Sequence, residues 1–452
     1  MIGLAKPVWN YAGYAMLALV ALSPLTLGAV APWAWTSLAL AAGLVLLAVA
    51  IPTLQDYGAP AFYWRDLRAS AMLFLIPLVW AFIQLSPVPA AWQHPIWDVT
   101  RDIVGDVRGA ISLNPSDGLQ IITRWLMYVA IFLIAYVWGR DARRSMQALN
   151  VLVIAATVYA LYGLIIIFIG SDLALWVHKP LYITDVSGPF INRNNFASYA
   201  GAILCVALGL LLRRILHEVT GVSAHEFWRR LIGVLLGRAW YLTLAVVILF
   251  VALLLTHSRA GLASFAVGFV VLLMMLRLAG LLQGKMFFWG AGIIGGSLIG
   301  IFLLSGEGVF ARLISESEVA RPQLYALQMN ALADRPWLGS GLGSFPQIFH
   351  IYRTEDIPLY FFTERGHSVY LENMVELGLF AAFALFISIG ILIWRVIASV
   401  TLDARHRTIP AVSVAAITVL CVHSLIDFPL QIPAITMTFA WLLGLGMAQT
   451  RE

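Results

Sequence analysis

Trp240-Tyr-Leu-Thr-Leu-Ala-Val-Val-Ile-Leu-Phe-Val-Ala-Leu-Leu-Leu-Thr256 is followed by His257-Ser-Arg259. Then comes Ala260-Gly-Leu-Ala-Ser-Phe-Ala-Val-Gly-Phe-Val-Val-Leu-Leu-Met-Met-Leu276. These are two continuous apolar runs with a short polar turn between them. Each run is about 17 residues, and at ~1.5 Å per residue a helix of that length nearly crosses ~30 Å of hydrocarbon. A helix of this kind satisfies its own backbone, so it can stand in lipid.

The same pattern recurs along the 452 residues, of which 61% are apolar and 11% charged, with a mean hydropathy of +0.88. Spans are predicted at Tyr11–Val30, Trp35–Leu54, Ala71–Val88, Ile122–Trp138, Leu149–Gly170, Asn195–Leu212, Trp240–Thr256, Gly261–Leu276, Phe287–Ser305, Val369–Trp394, Ile409–Ser424 and Ile432–Gln449. The expectation is an all-α integral membrane protein of about twelve transmembrane helices. A β-barrel is excluded, because barrel strands are short and alternate in polarity. The first apolar segment is of full length and leads into another span, so no cleavable signal peptide is expected. Residues 1–452 read as a single polytopic membrane domain. Cys205 and Cys421 both fall inside spans, so neither a disulfide nor thiol chemistry is expected.

Lys and Arg favour one side. With both termini placed in the cytoplasm, Arg65, Arg140, Arg213, Arg214, Arg238 and Arg395 fall with most other basic residues on the inner side. The short outer loops are left with Lys179, Arg193 and Arg259. Pro89–Leu119, with Trp92 and Trp97, reads as an interfacial amphipathic piece. The long outer segment at 306–368 is the part that a connection between spans does not require. In it Pro322 is expected to start a helix, and Gly339-Ser-Gly-Leu-Gly343 to turn sharply above the membrane.

Arg193, in Asn192-Arg-Asn-Asn195, and Arg259 lie on the outer face without an evident carboxylate neighbour. Either can snorkel to lipid phosphate. Two together suit a diphosphate, since each planar fork engages two oxygens and stabilises a charged leaving group without a metal. His367 precedes a helix on the same face, and an unperturbed imidazole, with a pKa of ~6.5, accepts a proton near neutrality. Glu372 and Glu376, one turn apart, are placed to orient the imidazole or bind sugar hydroxyls. Arg321 and Asn195 are further substrate-binding candidates. His423 and Asp427 read first as a structural polar pair needing a partner. No spacing suits a metal, none suits a nucleic-acid surface, and no cofactor is expected.

Five stretches resemble the bacterial O-antigen ligase and polysaccharide polymerase superfamily. They are Gly188-Pro-Phe-Ile-Asn-Arg-Asn-Asn-Phe-Ala197, His257-Ser-Arg-Ala-Gly261, Arg335-Pro-Trp-Leu-Gly-Ser-Gly-Leu-Gly-Ser-Phe345, Gly366-His-Ser-Val-Tyr-Leu-Glu372 with Glu376-Leu-Gly378, and His423-Ser-Leu-Ile-Asp-Phe428. They run in order from Ser187 to Pro429. Ser368 departs from the asparagine more usual after the histidine. The resemblance implies a GT-C-like fold with a periplasmic helical cap, in the bacterial inner membrane with the active site periplasmic. It implies a glycan donor on undecaprenyl diphosphate, an acceptor that is a glycan or the lipid A core, and a chain-length-regulating membrane partner. Arg193 and Arg259 would bind the diphosphate and His367 would activate the acceptor hydroxyl, giving inversion without a metal. Acids outnumber arginines in the long loop, which favours a polymerase over a ligase attaching glycan to the core. A lipid or glycan transporter is the rival from another class. It would place polar groups at mid-membrane depth in inverted repeats, which the sequence lacks.

Overall fold

The computed structural model describes residues 5–55, 63–179, 181–282, 292, 316–355, 357, 363–401 and 407–450. Over these the regular structure is helical apart from one two-stranded hairpin and an isolated bridge, with loops between the helices. Eight helices are long and apolar enough to cross a membrane, and a ninth candidate span is a helix pair bent by 82°. Two shorter apolar helices, Thr408–His423 and Pro433–Met447, complete the set. Together they account for every expected span except Phe287–Ser305, which lies outside the described residues. This is an all-α, multi-pass membrane protein.

In chain order, α1 (Ala5–Leu22) and α2 (Pro32–Gln55) precede α3 (Trp64–Leu85), α4 (Ile96–Val104), α5 (Pro115–Trp138) and α6 (Ala142–Phe168). A hairpin of β1 (Leu173–Ala174) and β2 (Val177–His178) leads to α7 (Arg193–Val219). After it come α8 (Ala224–Ile232), α9 (Trp240–Leu255) and α10 (Arg259–Leu278). Next are α11 (Glu316–Asp334), α12 (Phe345–Tyr352), α13 (Val369–Leu377) and α14 (Leu379–Thr401), then α15 (Thr408–His423) and α16 (Pro433–Met447).

α7 is the central post, with 89% of its apolar window buried. It packs against α9, α10 and α15. Small residues permit this closeness, as lipid gives apolar helices little hydrophobic reason to associate and contact must come from packing. A Cβ on Gly268 of α10 would lie 2.3 Å from Val419 of α15. The peripheral helices look outward: α2 exposes Leu40, Leu44, Leu47 and Ile51, and α6 exposes Ile154, Val158, Leu161 and Ile165. That four-three-four spacing is one helical face, turned to lipid.

The structure corrects several boundaries. The run Val369–Trp394 is not one helix: it breaks at Gly378, so α13 belongs to the cap and α14 alone spans. The break is built from backbone, with Gly378 at φ +78° and a Cβ there meeting the Trp337 carbonyl oxygen at 2.3 Å. Apolar composition on both sides hid it. Pro322 does not start α11 but sits inside it, the helix beginning at Glu316. α5 begins earlier than expected, at Pro115, where the Asn114 side chain caps it.

α11, α12 and α13 share a small core of their own, including Leu324, Leu327, Phe345, Ile348, Phe349 and Val375. Polar contacts moor this cap to the spans. Gln84 of α3 donates to the Leu338 and Glu376 carbonyls at 2.7 and 2.9 Å, and Arg335 donates to those of Trp92 and Gln93. The segment Pro89–Leu119 does carry a short amphipathic helix, α4, with Val99, Ile103 and Val104 exposed.

Gly339-Ser-Gly-Leu-Gly343 is the seam between cap and spans. Ser340 and Gly341 donate N–H groups to the carbonyls of Val375 and Glu376 at 3.0 and 2.9 Å. All three glycines have positive φ, and a Cβ on Gly339 would stand 2.3 Å from the Glu376 carbonyl oxygen. Gly339→Ala therefore combines left-handed backbone strain with a backbone clash, and should lower stability by about 1–3 kcal/mol. Thermal unfolding in detergent checks this; an unchanged midpoint would refute the seam.

Candidate functional site

Three helices start at one end of the bundle, each with a site candidate beside its first turn. The Asn192 side chain accepts from the Asn194 N–H and makes Arg193 the first residue of α7. Ser258 caps α10, whose first residue is Arg259. Ser368 caps α13, directly after His367. Helix starts carry unpaired N–H groups and a positive dipole end, so the caps and arginines point the same electrostatic way.

Arg193 does have a carboxylate neighbour, contrary to the sequence reading. Its Nη1 lies 2.6 Å from Oδ2 of Asp185, and its guanidinium stacks 4.7 Å from the Tyr182 ring centroid. The other oxygen of Asp185 lies 2.6 Å from Nδ1 of His257. Asp185 thus ties the start of α7 to the turn that ends in Arg259, and the Val186 N–H donates to the Leu255 carbonyl at 3.0 Å beside it. Arg259 is itself engaged in a contact. Lys179, the third outer-loop cation, is buried and donates to the Tyr182 and Asp185 carbonyls at 3.2 Å. It shapes the loop that presents Asp185. The sequence signal for Asp185 was faint: one acid eight residues before Arg193, in a loop with no repeating pattern.

A second carboxylate, Asp427, lies beside this cluster. Its side chain is 1% exposed. Oδ2 accepts from the Asn194 side-chain amide at 2.8 Å and lies 3.9 Å from Nη2 of Arg321. Oδ1 accepts from the Phe428 N–H at 2.9 Å and lies 3.5 Å from Nδ1 of His367, an ion-pair contact longer than a good hydrogen bond. Burial would raise this carboxyl's pKa, but His367, His423 and Arg321 around it hold it below the usual value. His423 and Asp427 are not simply each other's partners, since the His423 Nδ1 meets the Ser198 hydroxyl at 2.5 Å. The two clusters adjoin at Tyr182. Burial raises its phenol above the usual pKa, and Arg193, Asp427, Arg321 and Asp185 all act on it electrostatically.

Several polar atoms here are buried without a hydrogen-bond partner among the described residues: Nε of Arg193, Nε of Arg321, Nδ1 of His367 and Oδ1 of Asn195. Such atoms are rare in native interiors and ask for an explanation. Backbone strain collects here too, since Tyr182, His257 and His367 have φ values of +59°, +50° and +54°. For non-glycine residues these are unusual and cluster at functional sites. Asn194, rather than Asn195, reaches Asp427; it lay in the same quoted motif, one residue away.

Residues 244–386 match the family model described as O-antigen ligase (Wzy_C). The match covers about a third of the chain and supports its likeness to the O-antigen ligase and polysaccharide polymerase superfamily. With its membrane-spanning helices, the match supports a membrane enzyme. The matched segment contains Arg259, Arg321, His367, Glu372 and Glu376, whereas Asp185, Arg193, Asn194, Asn195 and Asp427 lie outside it and join it only through the fold. No curated protein matches the chain.

Glu372 and Glu376 are buried in the cap. Oε2 of Glu372 accepts the Gly366 N–H at 2.6 Å, and Oε1 lies 3.6 Å from Arg365, so the residue grips the turn leading into His367. Gln328 holds the same turn through the Gly366 carbonyl at 2.8 Å, and the Tyr325 hydroxyl donates to the His367 carbonyl at 3.0 Å. Glu376 accepts the Phe345 N–H at 3.0 Å, at the start of α12. It thereby holds the end of the glycine seam against the cap.

Burial, and then the neighbouring Glu372 charge, push the Glu376 carboxyl up to about 8. Between its ordinary value of 4.5 and about 8 the folded protein keeps a proton that the unfolded chain releases. Stability should therefore be greatest below pH 4.5 for this group and fall as pH rises through that window. Glu376→Gln, which fixes the neutral form, should flatten the slope of melting temperature against pH between 5 and 8. An unaltered slope would place the titration elsewhere.

Proposed function

We propose that this protein transfers a glycan from a polyprenyl diphosphate carrier, undecaprenyl diphosphate in a bacterial inner membrane, to an acceptor hydroxyl on the periplasmic side. The observation that carries this reading is the meeting of Arg193, Arg321 and His367 around Asp185 and Asp427, with an unpaired guanidinium nitrogen on each arginine. Arg259 enters through the turn that Asp185 holds.

The chemistry follows from those groups. The diphosphate takes the guanidinium forks of Arg193 and Arg259, with helix starts behind them. His367 directs Nδ1 at Asp427, which favours the tautomer with a proton on Nδ1 and leaves Nε2 as the basic nitrogen. That nitrogen takes the proton from the acceptor hydroxyl. The acceptor oxygen bonds to the anomeric carbon from the face opposite the diphosphate, and the bond from carbon to phosphate oxygen breaks. Configuration inverts, and the diphosphate leaves with its charge met by arginine rather than by a divalent ion. The buried Asp427 carboxylate stabilises the imidazolium once it forms, as a fixed charge does in an active site.

A polymerase and a ligase share this chemistry and differ in acceptor. The excess of acids in 306–368 favours the end of another lipid-linked repeat over a phosphate-decorated lipid A core, so polymerisation is the preferred form, alongside a chain-length-regulating membrane partner. Transport is the weaker reading, because the charged groups described here gather at the ends of the spans. Deleting the gene and examining surface glycan separates the two acceptors. Accumulated single repeat units support a polymerase, and accumulated long lipid-linked chains a ligase.

Arg259→Lys should lose most transfer activity, since an ammonium keeps the charge but not the two-point fork. Purified protein with lipid-linked donor, assayed with EDTA present throughout, is the measurement. Full activity in the variant would contradict the diphosphate role, and loss of wild-type activity to the chelator would contradict metal independence.

A further inference from the structure

The far end of α7 carries a second concentration of arginine that the transfer chemistry does not use. α7 is 27 residues long, so its two ends stand roughly 40 Å apart. At its C-terminal end a cavity of about 300 Å³ opens between α6, α7 and the bend that joins α8 to α9. That volume is at the lower end of the ~300–1,000 Å³ usual for small-ligand sites. Arg213, Arg214, His217 and Arg238 line it on the polar side, and Met146, Leu210, Val234 and Leu242 on the apolar side.

Arg238 pairs with Glu218, the acid of the lining. Arg214 meets only neutral oxygens, the Arg238 carbonyl at 2.6 Å and the Tyr241 hydroxyl at 2.9 Å. Arg213 meets the sulfur of Met146 at 3.5 Å. Neither forms an ion pair with a described carboxylate, so the cavity holds two uncompensated positive charges. An excess of arginine on the inner side is expected of any multi-pass protein, but that bias fixes only the side. It does not require arginines to line a concave, half-apolar cavity.

The surroundings fix the depth. α8 and the turn after it form an amphipathic piece bent by 82° from α9. It exposes Trp228, Ile232 and Leu236, with Trp240 at the start of α9. Trp beside apolar and basic residues marks the headgroup level of a bilayer. A ligand entering from that level offers a phosphate to the arginines and an apolar portion to Leu210, Val234 and Leu242.

We propose that this cavity binds the phosphate of an anionic membrane phospholipid, with Arg213 and Arg214 holding the phosphate and the glycerol end resting on the apolar wall. The site is separate from the transfer site, and the proposal does not rest on the transferase reading. A Glu218–Arg238 pair at the rim keeps the third guanidinium from competing for the same charge.

The test uses the purified full chain in micelles doped equally with phosphatidylglycerol and phosphatidylethanolamine, with retained lipid read by native mass spectrometry. Wild type should retain phosphatidylglycerol in clear preference. Arg213→Gln with Arg214→Gln should reduce that preference roughly tenfold or more, because each basic side chain at an anionic surface changes binding about fivefold. Arg213→Lys with Arg214→Lys, which keeps the charge and spares the fold, should retain an intermediate preference. Arg229→Gln, on the outer face of α8 where the side chain is 77% exposed, should leave it unchanged. Equal retention of the two lipids by wild type overturns the proposal, as does an undiminished preference in the Gln pair. A loss in Arg229→Gln as large as in that pair would mean diffuse surface attraction and overturn it too. Inorganic phosphate raising the melting temperature as much as phosphatidylglycerol would overturn the lipid source.

Discussion

The carboxylate of Asp427 is the group on which the rest of the site depends. It is buried, and a lone buried charge is costly enough that it must be met by donors or lose its charge. Here the donors come from four places in the chain: Asn194 on α7, Arg321 on α11, His367 before α13 and the Phe428 backbone. Two of these belong to the cap and two to the membrane bundle. Satisfying one charge therefore fixes the cap over the bundle, and fixes the imidazole with it. Removing any one partner would leave the others to accommodate an unmet carboxylate.

Asp185 does at the neighbouring cluster what Asp427 does at the first. It joins Arg193 and His257, and so holds two helix starts together. Each carboxylate meets one arginine and one histidine, on the face where three helix N-termini also point. The cap residues Glu372, Gln328 and Tyr325 act one step back, clamping Gly366 and the His367 backbone. At Gly366 a Cβ would lie 2.3 Å from the Gln328 side-chain oxygen, so the turn into the histidine tolerates no larger residue without movement.

The membrane architecture could be read from the sequence because it follows from composition alone. A run such as Trp240–Thr256 has few alternatives in lipid. Arg193, Arg259 and His367 stood out for the same reason, as polar residues where the pattern demanded apolar ones or an inside location. The misses have a different origin. Gly378 splits a largely apolar stretch because the Trp337 carbonyl packs against it, a contact between residues forty-one positions apart in the chain. Pro322 sits within α11, where the sequence pattern only suggested a start. Asp185 and Asn194 acquire their roles through tertiary neighbours at Arg193, His257 and Asp427, which no local spacing encodes. The glycine seam was legible as a turn, while its docking on Val375 and Glu376 was not.

The bundle is thus polar at both ends for different reasons, with paired carboxylates and cations under the cap and uncompensated arginines at the far end of α7. The account stands or falls on whether the imidazole beneath the cap is a base. The decisive measurement takes purified His367→Ala and determines melting temperature, affinity for lipid-linked donor and turnover on one sample. The account predicts a turnover loss of ~10²–10⁴-fold with donor affinity and melting temperature near those of wild type. A stable variant with normal turnover, or one whose donor binding falls in proportion to its activity, would contradict it.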